Sequence, residues 1–241
     1  MRALIRFAYA LYAYLLFGLL GLAALAVVVV MPGLERRRAA VRTVARAFLR
    51  LAGMPLTVSG LERLPAGQCV LVANHASYLD GVVFSAALPP RFSFIIKREM
   101  ARVPLAGSLL RRIGAHFVER FNRNRGAADA RRVLRNAENG HSLVFFPEGT
   151  FSAQPGLLKF HAGAFLTAVR ARCPVVPVVV RGTRAAFPPG SYLPQPTSVS
   201  VELLAPLAAS SSDATAAAEE LRARARGAIL SHLHEPDLAA A

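Results

Sequence analysis

Hydrophobic and polar positions divide the chain into two unlike regions. From Phe7 to Met31, 25 consecutive residues carry no charge and are mostly Leu, Ala and Val, enough for the roughly 20 that cross a bilayer core. Pro32 and Gly33 stop that helix. Arg38, Arg42, Arg46 and Arg50 then recur at every fourth position among Val41, Val44, Phe48 and Leu49, which predicts a basic amphipathic helix over 35–52. From about residue 55 the pattern changes to short apolar runs between helical stretches. Val70–Ala73, Phe92–Ile96, His116–Val118, Leu143–Phe146, Val175–Val180 and Val199–Leu203 read as strands. Several are continuous runs of the kind found in central strands covered on both faces. Ala127–Asn139, Ala162–Arg172 and Ala214–His232 read as helices, the last entered through a Ser-rich link at 208–213. Strands alternating with helices predict an α/β fold: a mixed, mostly parallel sheet flanked by helices, preceded by membrane-anchoring helices. The expected divisions are 1–54 (apolar 7–31, basic amphipathic 35–52), a main domain over 55–208, and a C-terminal linker and helix over 209–241.

Charge sharpens the picture. The 241 residues hold 29 Lys and Arg against 14 Asp and Glu, a net +15. Residues 1–50 contribute +7 and residues 91–140 +8, so the excess sits in two blocks and the rest is neutral. Local excess points to two attracting surfaces rather than to a general solubility device. Two Arg precede the apolar run and six follow it within twenty residues, which puts the main domain on the cytoplasmic side of the inner membrane. Tyr9, Tyr12 and Tyr14 cluster near one end of the run, as interfacial aromatics do. A secretory leader also starts with Arg before an apolar stretch, but leader cores are usually shorter and no small-residue cleavage site follows here. The run fits a span or a hairpin dip with the Arg helix. The Arg stripe fits an anionic leaflet or a solvated face.

Composition removes several classes. With 54% hydrophobic residues, 8% aromatics and no Trp, the chain suits neither disorder nor nucleic-acid binding. Cys69 and Cys173, the only cysteines, give no disulfide framework or Cys-based zinc site. Nucleotide-binding glycine loops, H-E-x-x-H and G-x-S-x-G are absent from the sequence.

Three polar clusters remain. Asn74-His75-Ala76-Ser77-Tyr78-Leu79-Asp80 follows the strand ending at Ala73, and open α/β sheets place ligands beyond strand ends. A His with a carboxylate is the minimal general base, but residues five apart on a helix diverge by about 140°. His75 and Asp80 therefore meet only if the chain turns between them; otherwise the cluster merely starts a helix. Phe145-Phe146-Pro147-Glu148-Gly149-Thr150-Phe151 again follows a strand and offers a carboxylate beside a Gly. Gly114 to Arg120 ends in a guanidinium suited to phosphate. Taken singly, each cluster is also compatible with ordinary turns and caps.

In this order the clusters resemble the PlsC-type glycerolipid acyltransferases, whose best-known members acylate 1-acyl-glycerol 3-phosphate. The resemblance runs from about Leu56 to Gly182. It rests on Asn-His-x4-Asp, Gly-x-x-Phe-x-x-Arg, Phe-Pro-Glu-Gly-Thr and Val176-Pro177-Val178, with Lys97, Glu99, Pro104, Gly107, Lys159 and Phe160 between the blocks. It implies a glycerolipid acyltransferase fold with His75 as base and Asp80 as its orienter. It also implies Asn74, Ser77, Lys97, Arg120, Glu148, Gly149, Thr150 and Lys159 as substrate-binding residues. The implied donor is acyl-CoA or acyl-carrier protein and the implied acceptor a lysophospholipid at a membrane phospholipid surface, with no metal and no cofactor. Phe151 stands where the family often has Arg, which admits an acceptor with a capped head group, another lysophospholipid or an amino-acid lipid. A catalytically idle lipid-binding module, a basic membrane-surface scaffold that binds a protein, and a thioesterase that transfers the acyl group to water are the remaining alternatives.

Overall fold

A computed structural model of the chain describes residues 2–119 and 123–239. α1 (Arg2–Val30) and α2 (Leu34–Leu51) form an antiparallel hairpin around Pro32 and Gly33, whose φ of +83° suits only glycine well. The turn is fixed by Arg37 Nε donating to the Met31 carbonyl at 2.7 Å. α1 is long and apolar enough to cross a membrane. Its far end, however, is tied back to the domain. Tyr9 Oη donates to the Ala52 carbonyl at 2.7 Å, Tyr12 Oη to Leu51 at 3.1 Å and Tyr14 Oη to Tyr192 at 2.8 Å. The tyrosine cluster thus closes the hairpin. A stripe of Ala10, Ala13, Ala24 and Val28 is buried, while Leu4, Phe7, Leu11, Leu15, Leu19 and Leu22 lie exposed on the outer face. So much exposed apolar helix marks a membrane-associating surface.

The first part of the α2 Arg stripe turns inward: Arg38 is buried and Arg42 half-buried, while Arg46 and Arg50 are exposed, so the reading as a leaflet-facing or solvated surface is corrected for Arg38 and Arg42. Arg38 is 8% exposed and donates to the Ile113 carbonyl at 2.9 Å, to Arg91 at 3.2 Å, to Pro90 at 3.3 Å and to Ser93 Oγ. Burial lowers its pKa from the usual arginine value. Arg42 and Arg46 donate to the Ala86 and Ala87 carbonyls at the end of α3 (Asp80–Ala87). Carbonyls at a helix C-terminus have no partner within the helix, and guanidinium groups are well matched to them. Part of the second basic block, half-buried, likewise bonds to the protein's own groups. Arg91 donates to the Pro65, Ala66 and Gly67 carbonyls at 2.5 to 3.0 Å, and Arg98 grips both oxygens of buried Asp129.

Among the described residues seven strands form one sheet: β1 (Leu56–Ser59), β2 (Val70–Ala73), β3 (Phe92–Lys97), β4 (His116–Val118), β5 (Ser142–Phe145), β6 (Val175–Arg181) and β7 (Val199–Leu203). Their spatial order is β1-β7-β6-β2-β5-β3-β4, parallel throughout except for β6 with β7. The expected mixed, mostly parallel sheet is present. β1 adds a strand that its four alternating residues did not announce. α4 (Ala106–Arg112), α5 (Arg123–Glu138), α6 (Gly163–Arg170), α7 (Thr183–Ala186) and α8 (Ala214–Leu233) complete the chain.

Both faces of the sheet are covered, which is why its central strands read as unbroken apolar runs. On one face Leu71, Ala73, Val176, Val178 and Val180 pack against Phe48 and Leu49 of α2 and Val83 and Phe84 of α3. On the other, Val70, Val72, Val175 and Val179 meet Phe165 and Ala168 of α6 and Leu221, Ala225 and Ile229 of α8. Each fully buried Val or Leu contributes roughly 1.5–3 kcal/mol. β2 lies between β5 and β6, where successive strands change side, so the C-terminal ends of β2 and β5 open onto a switch point.

Candidate active site

The chain leaves β2 at Ala73 and reaches α3 at Asp80 through a tight turn built on one carboxylate oxygen. Asp80 Oδ2 accepts from Ala76 N at 2.7 Å, Ser77 N at 3.0 Å and His75 Nδ1 at 2.7 Å. The turn that brings His75 and Asp80 together is therefore formed, and Asp80 is fully buried. With Nδ1 donating to a carboxylate, the lone pair of the neutral ring is on Nε2, the tautomer a general base needs. Only 19% of the His75 side chain is exposed.

Two phenylalanines hold that ring. Phe146 stacks on it at 4.4 Å between centroids with 25° between planes, and Phe151 meets it edge-on at 4.5 Å and 69°. Phe151 in turn packs edge-on against Tyr78 at 4.8 Å. The sequence named Phe151 only as a departure from a motif; its place against the imidazole depends on the turn after β5, which spacing does not reveal. Gly149, at φ +73°, closes that turn with its N–H donating to the Phe146 carbonyl at 3.0 Å.

Glu148, 4% exposed, joins two loops. Oε1 accepts from His75 N at 2.6 Å and Oε2 from Leu158 N at 2.8 Å. Both oxygens are engaged by the chain itself, so its carboxylate fixes the His75 turn. Burial pushes its pKa up to about 7, against the two backbone donors and nearby Arg184. A folded pKa above the unfolded value of 4.5 means that this group's stabilising contribution is present below pH 4.5 and is lost as pH rises to about 7. That loss is about 3 kcal/mol in order of magnitude. Melting curves taken across this pH window should slope downward in the wild type, and the slope should flatten in Glu148→Gln.

The other expected site residues are placed as follows. Asn74 and Ser77, expected among the substrate-binding residues, bond to the backbone here. Asn74 donates to the Val180 carbonyl at 2.9 Å and accepts from Val180 N at 2.8 Å, locking β2 to β6. Ser77 Oγ donates to the Phe187 carbonyl at 2.8 Å and accepts from Leu79 N at 3.1 Å. Lys97 ends β3, half-buried, at the same edge of the sheet as His75; Thr150 and Lys159 are exposed on the loop between β5 and α6. Arg120 lies outside the described residues. The sequence reading passed over Arg184 of α7, which donates to the Ser152 carbonyl and, at 3.1 Å, to Glu235. It sits six residues beyond the recognisable Val176-Pro177-Val178 segment and carries no motif.

The family model for acyltransferases matches residues 55–181, more than half of the chain. The chain is 32% identical over 168 residues to a 1-acyl-sn-glycerol-3-phosphate acyltransferase of Neisseria meningitidis serogroup B, covering 68% of this chain and 65% of that protein. It is 29% identical over 163 residues to the Cocos nucifera protein of the same name, covering 67% and 53%. It is 34% identical over 136 residues to chloroplastic BAT2 of Brassica napus, covering 56% and 39%. The chain thus spans about half the length of the curated relatives it matches. The crystal structure of PlsC, the 1-acyl-sn-glycerophosphate acyltransferase of Thermotoga maritima, superposes with a TM-score of 0.78 at 25% identity over 96% of each chain. A matched domain and a shared architecture of this extent make the chain a member of the acyltransferase family.

Proposed function

We propose that the protein transfers an acyl group from an acyl thioester to the free hydroxyl of a lysophospholipid, with 1-acyl-glycerol 3-phosphate giving phosphatidate as the leading case. The observation that carries this reading is the His75–Asp80 pair at 2.7 Å at the switch point of the sheet. His75 Nε2 takes the hydroxyl proton, Asp80 holds the ring and balances the imidazolium, and the oxygen attacks the thioester carbonyl. The tetrahedral oxyanion collapses with expulsion of the thiolate of CoA or carrier protein, which the imidazolium can protonate. Thiolate is a good leaving group, so this step calls on no resident metal or cofactor. Lys97 and Lys159 are the described lysines available to an acceptor phosphate, together with Arg120. The names of the relatives support this acceptor.

The exposed face of α1 seats the protein in the inner membrane, and the Arg excess after it directs the catalytic domain to the cytoplasm. Because both ends of α1 touch the rest of the protein, a re-entrant hairpin is the geometry that fits best. A second acceptor reading is favoured by Phe151, which puts an apolar ring beside His75: a lysophospholipid with a capped head group.

The test is a panel of lysophosphatidate, lysophosphatidylethanolamine, glycerol 3-phosphate and a lyso amino-acid lipid with labelled acyl-CoA and acyl-carrier protein. Labelled phosphatidate is the expected product. Product from a capped acceptor alone would replace lysophosphatidate, and no product with either donor would overturn the enzymatic reading.

A further inference from the structure

The segment that follows α8 lies outside the region matched by the family model, yet it reaches the loop that carries the catalytic turn's second support. Glu235 Oε2 accepts from Gly156 N at 2.7 Å. Leu157 N donates to the Pro236 carbonyl at 2.9 Å, and Leu238 N donates back to the Leu157 carbonyl at 3.0 Å. Residues 235–238 thus run alongside 156–158 as a short parallel pairing. Gly156, at φ +142°, has no room for a Cβ because Leu238 and the Pro236 carbonyl occupy that space. A guanidinium of α8 clamps the arrangement. Arg226 pairs with both carboxylate oxygens of Asp237 and donates to the Leu157 carbonyl at 2.9 Å and to the Leu158 carbonyl at 3.2 Å. Arg184 ties Glu235 to the Ser152 carbonyl on the same loop.

The next N–H on the loop, that of Leu158, donates to Glu148, whose other oxygen holds His75 N. We infer that residues 235–238 form a strap that positions the catalytic histidine, with Asp237 and Glu235 as positioning residues acting through the 156–158 loop and Glu148. The inference rests on the proposed acyl transfer only for its kinetic consequence. The chain of contacts is continuous: Asp237 to Arg226, Arg226 to the Leu157 and Leu158 carbonyls, Leu158 N to Glu148, Glu148 to His75. The bonds that Arg226 makes to Asp237 and to the two loop carbonyls involve a charged group, the stronger kind. Letting the loop drift moves the carboxylate that fixes His75 N, and small misplacement of a catalytic group has a large kinetic effect.

The experiment compares the full-length protein with Asp237→Asn, Glu235→Gln and Asp237→Glu. It measures kcat, donor KM, melting temperature and amide exchange at Leu157, Leu158 and His75. In Asp237→Asn, kcat should fall on the order of tenfold, with donor KM and melting temperature nearly unchanged. Exchange should be faster at all three amides, and Asp237→Glu should recover part of both effects. Faster exchange at Leu157 with an unchanged His75 amide and unchanged kcat would overturn the inference. So would parallel losses of melting temperature, kcat and KM, the mark of general destabilisation. If the wild type acylates nothing, the proposed function fails on its own account, and exchange at the His75 amide alone decides the strap.

Discussion

Replacing His75 with alanine should reduce kcat by about 10²–10⁴-fold, the usual contribution of a positioned general base. Acceptor and donor KM should change little, because the imidazole works at the reacting hydroxyl. The side chain fills a small space between Phe146 and Phe151, and the turn beneath it is held by Asp80 through Ala76 N and Ser77 N and by Glu148 through the residue's own N–H. Those backbone bonds survive the substitution, so melting temperature should stay close to that of the wild type. Asp80→Asn is the informative companion. An amide oxygen can still accept from the backbone N–H groups, but it no longer stabilises the imidazolium, so its loss should fall on kcat as well. A wild-type rate in His75→Ala would remove the base from the mechanism.

The largest effect on stability should come from Arg38→Met. The new side chain has similar reach but no donors, so the Ile113, Pro90 and Arg91 carbonyls and Ser93 Oγ lose their partner in a site where water is scarce. Each unsatisfied buried polar group costs about 1–3 kcal/mol. Some of these groups regain solvent or one another, which leaves a net loss of about 3 kcal/mol. For a chain of this size that lowers the melting temperature by roughly 6–12 °C. Thermal denaturation in matched detergent measures it. A leaflet-facing Arg38 would instead give an unchanged melting temperature and weaker binding to anionic vesicles.

The contrast between these two residues shows what the sequence could reveal. The contact between His75 and Asp80 was legible because a His and a carboxylate follow a strand end and because the ordered blocks resemble a known family. The central strands were legible because burial on both faces leaves continuous runs such as Val175 to Val180. The direction of the Arg stripe was not, since fourfold spacing looks the same whether a helix face meets solvent, lipid head groups or backbone carbonyls. The carbonyls that decide it belong to residues 86–91 and 113, far away in sequence. β1 escaped because four alternating residues carry little periodic signal. The strap escaped for a related reason: residues 234–238 are short, polar and broken by Pro236, and only the loop opposite gives them a role.

The contact of Arg42 and Arg46 with the end of α3 has a practical consequence. α3 is two turns long; it begins at Asp80 and ends on the carbonyls capped by Arg42 and Arg46. Trimming the chain after Ala52 to obtain a water-soluble catalytic fragment would remove those guanidiniums and uncover Val83 and Phe84, which α2 shields. The fragment would lose its grip on the helix that begins at Asp80, so a cut at that point should disturb the His75–Asp80 pair along with removing the exposed apolar helix.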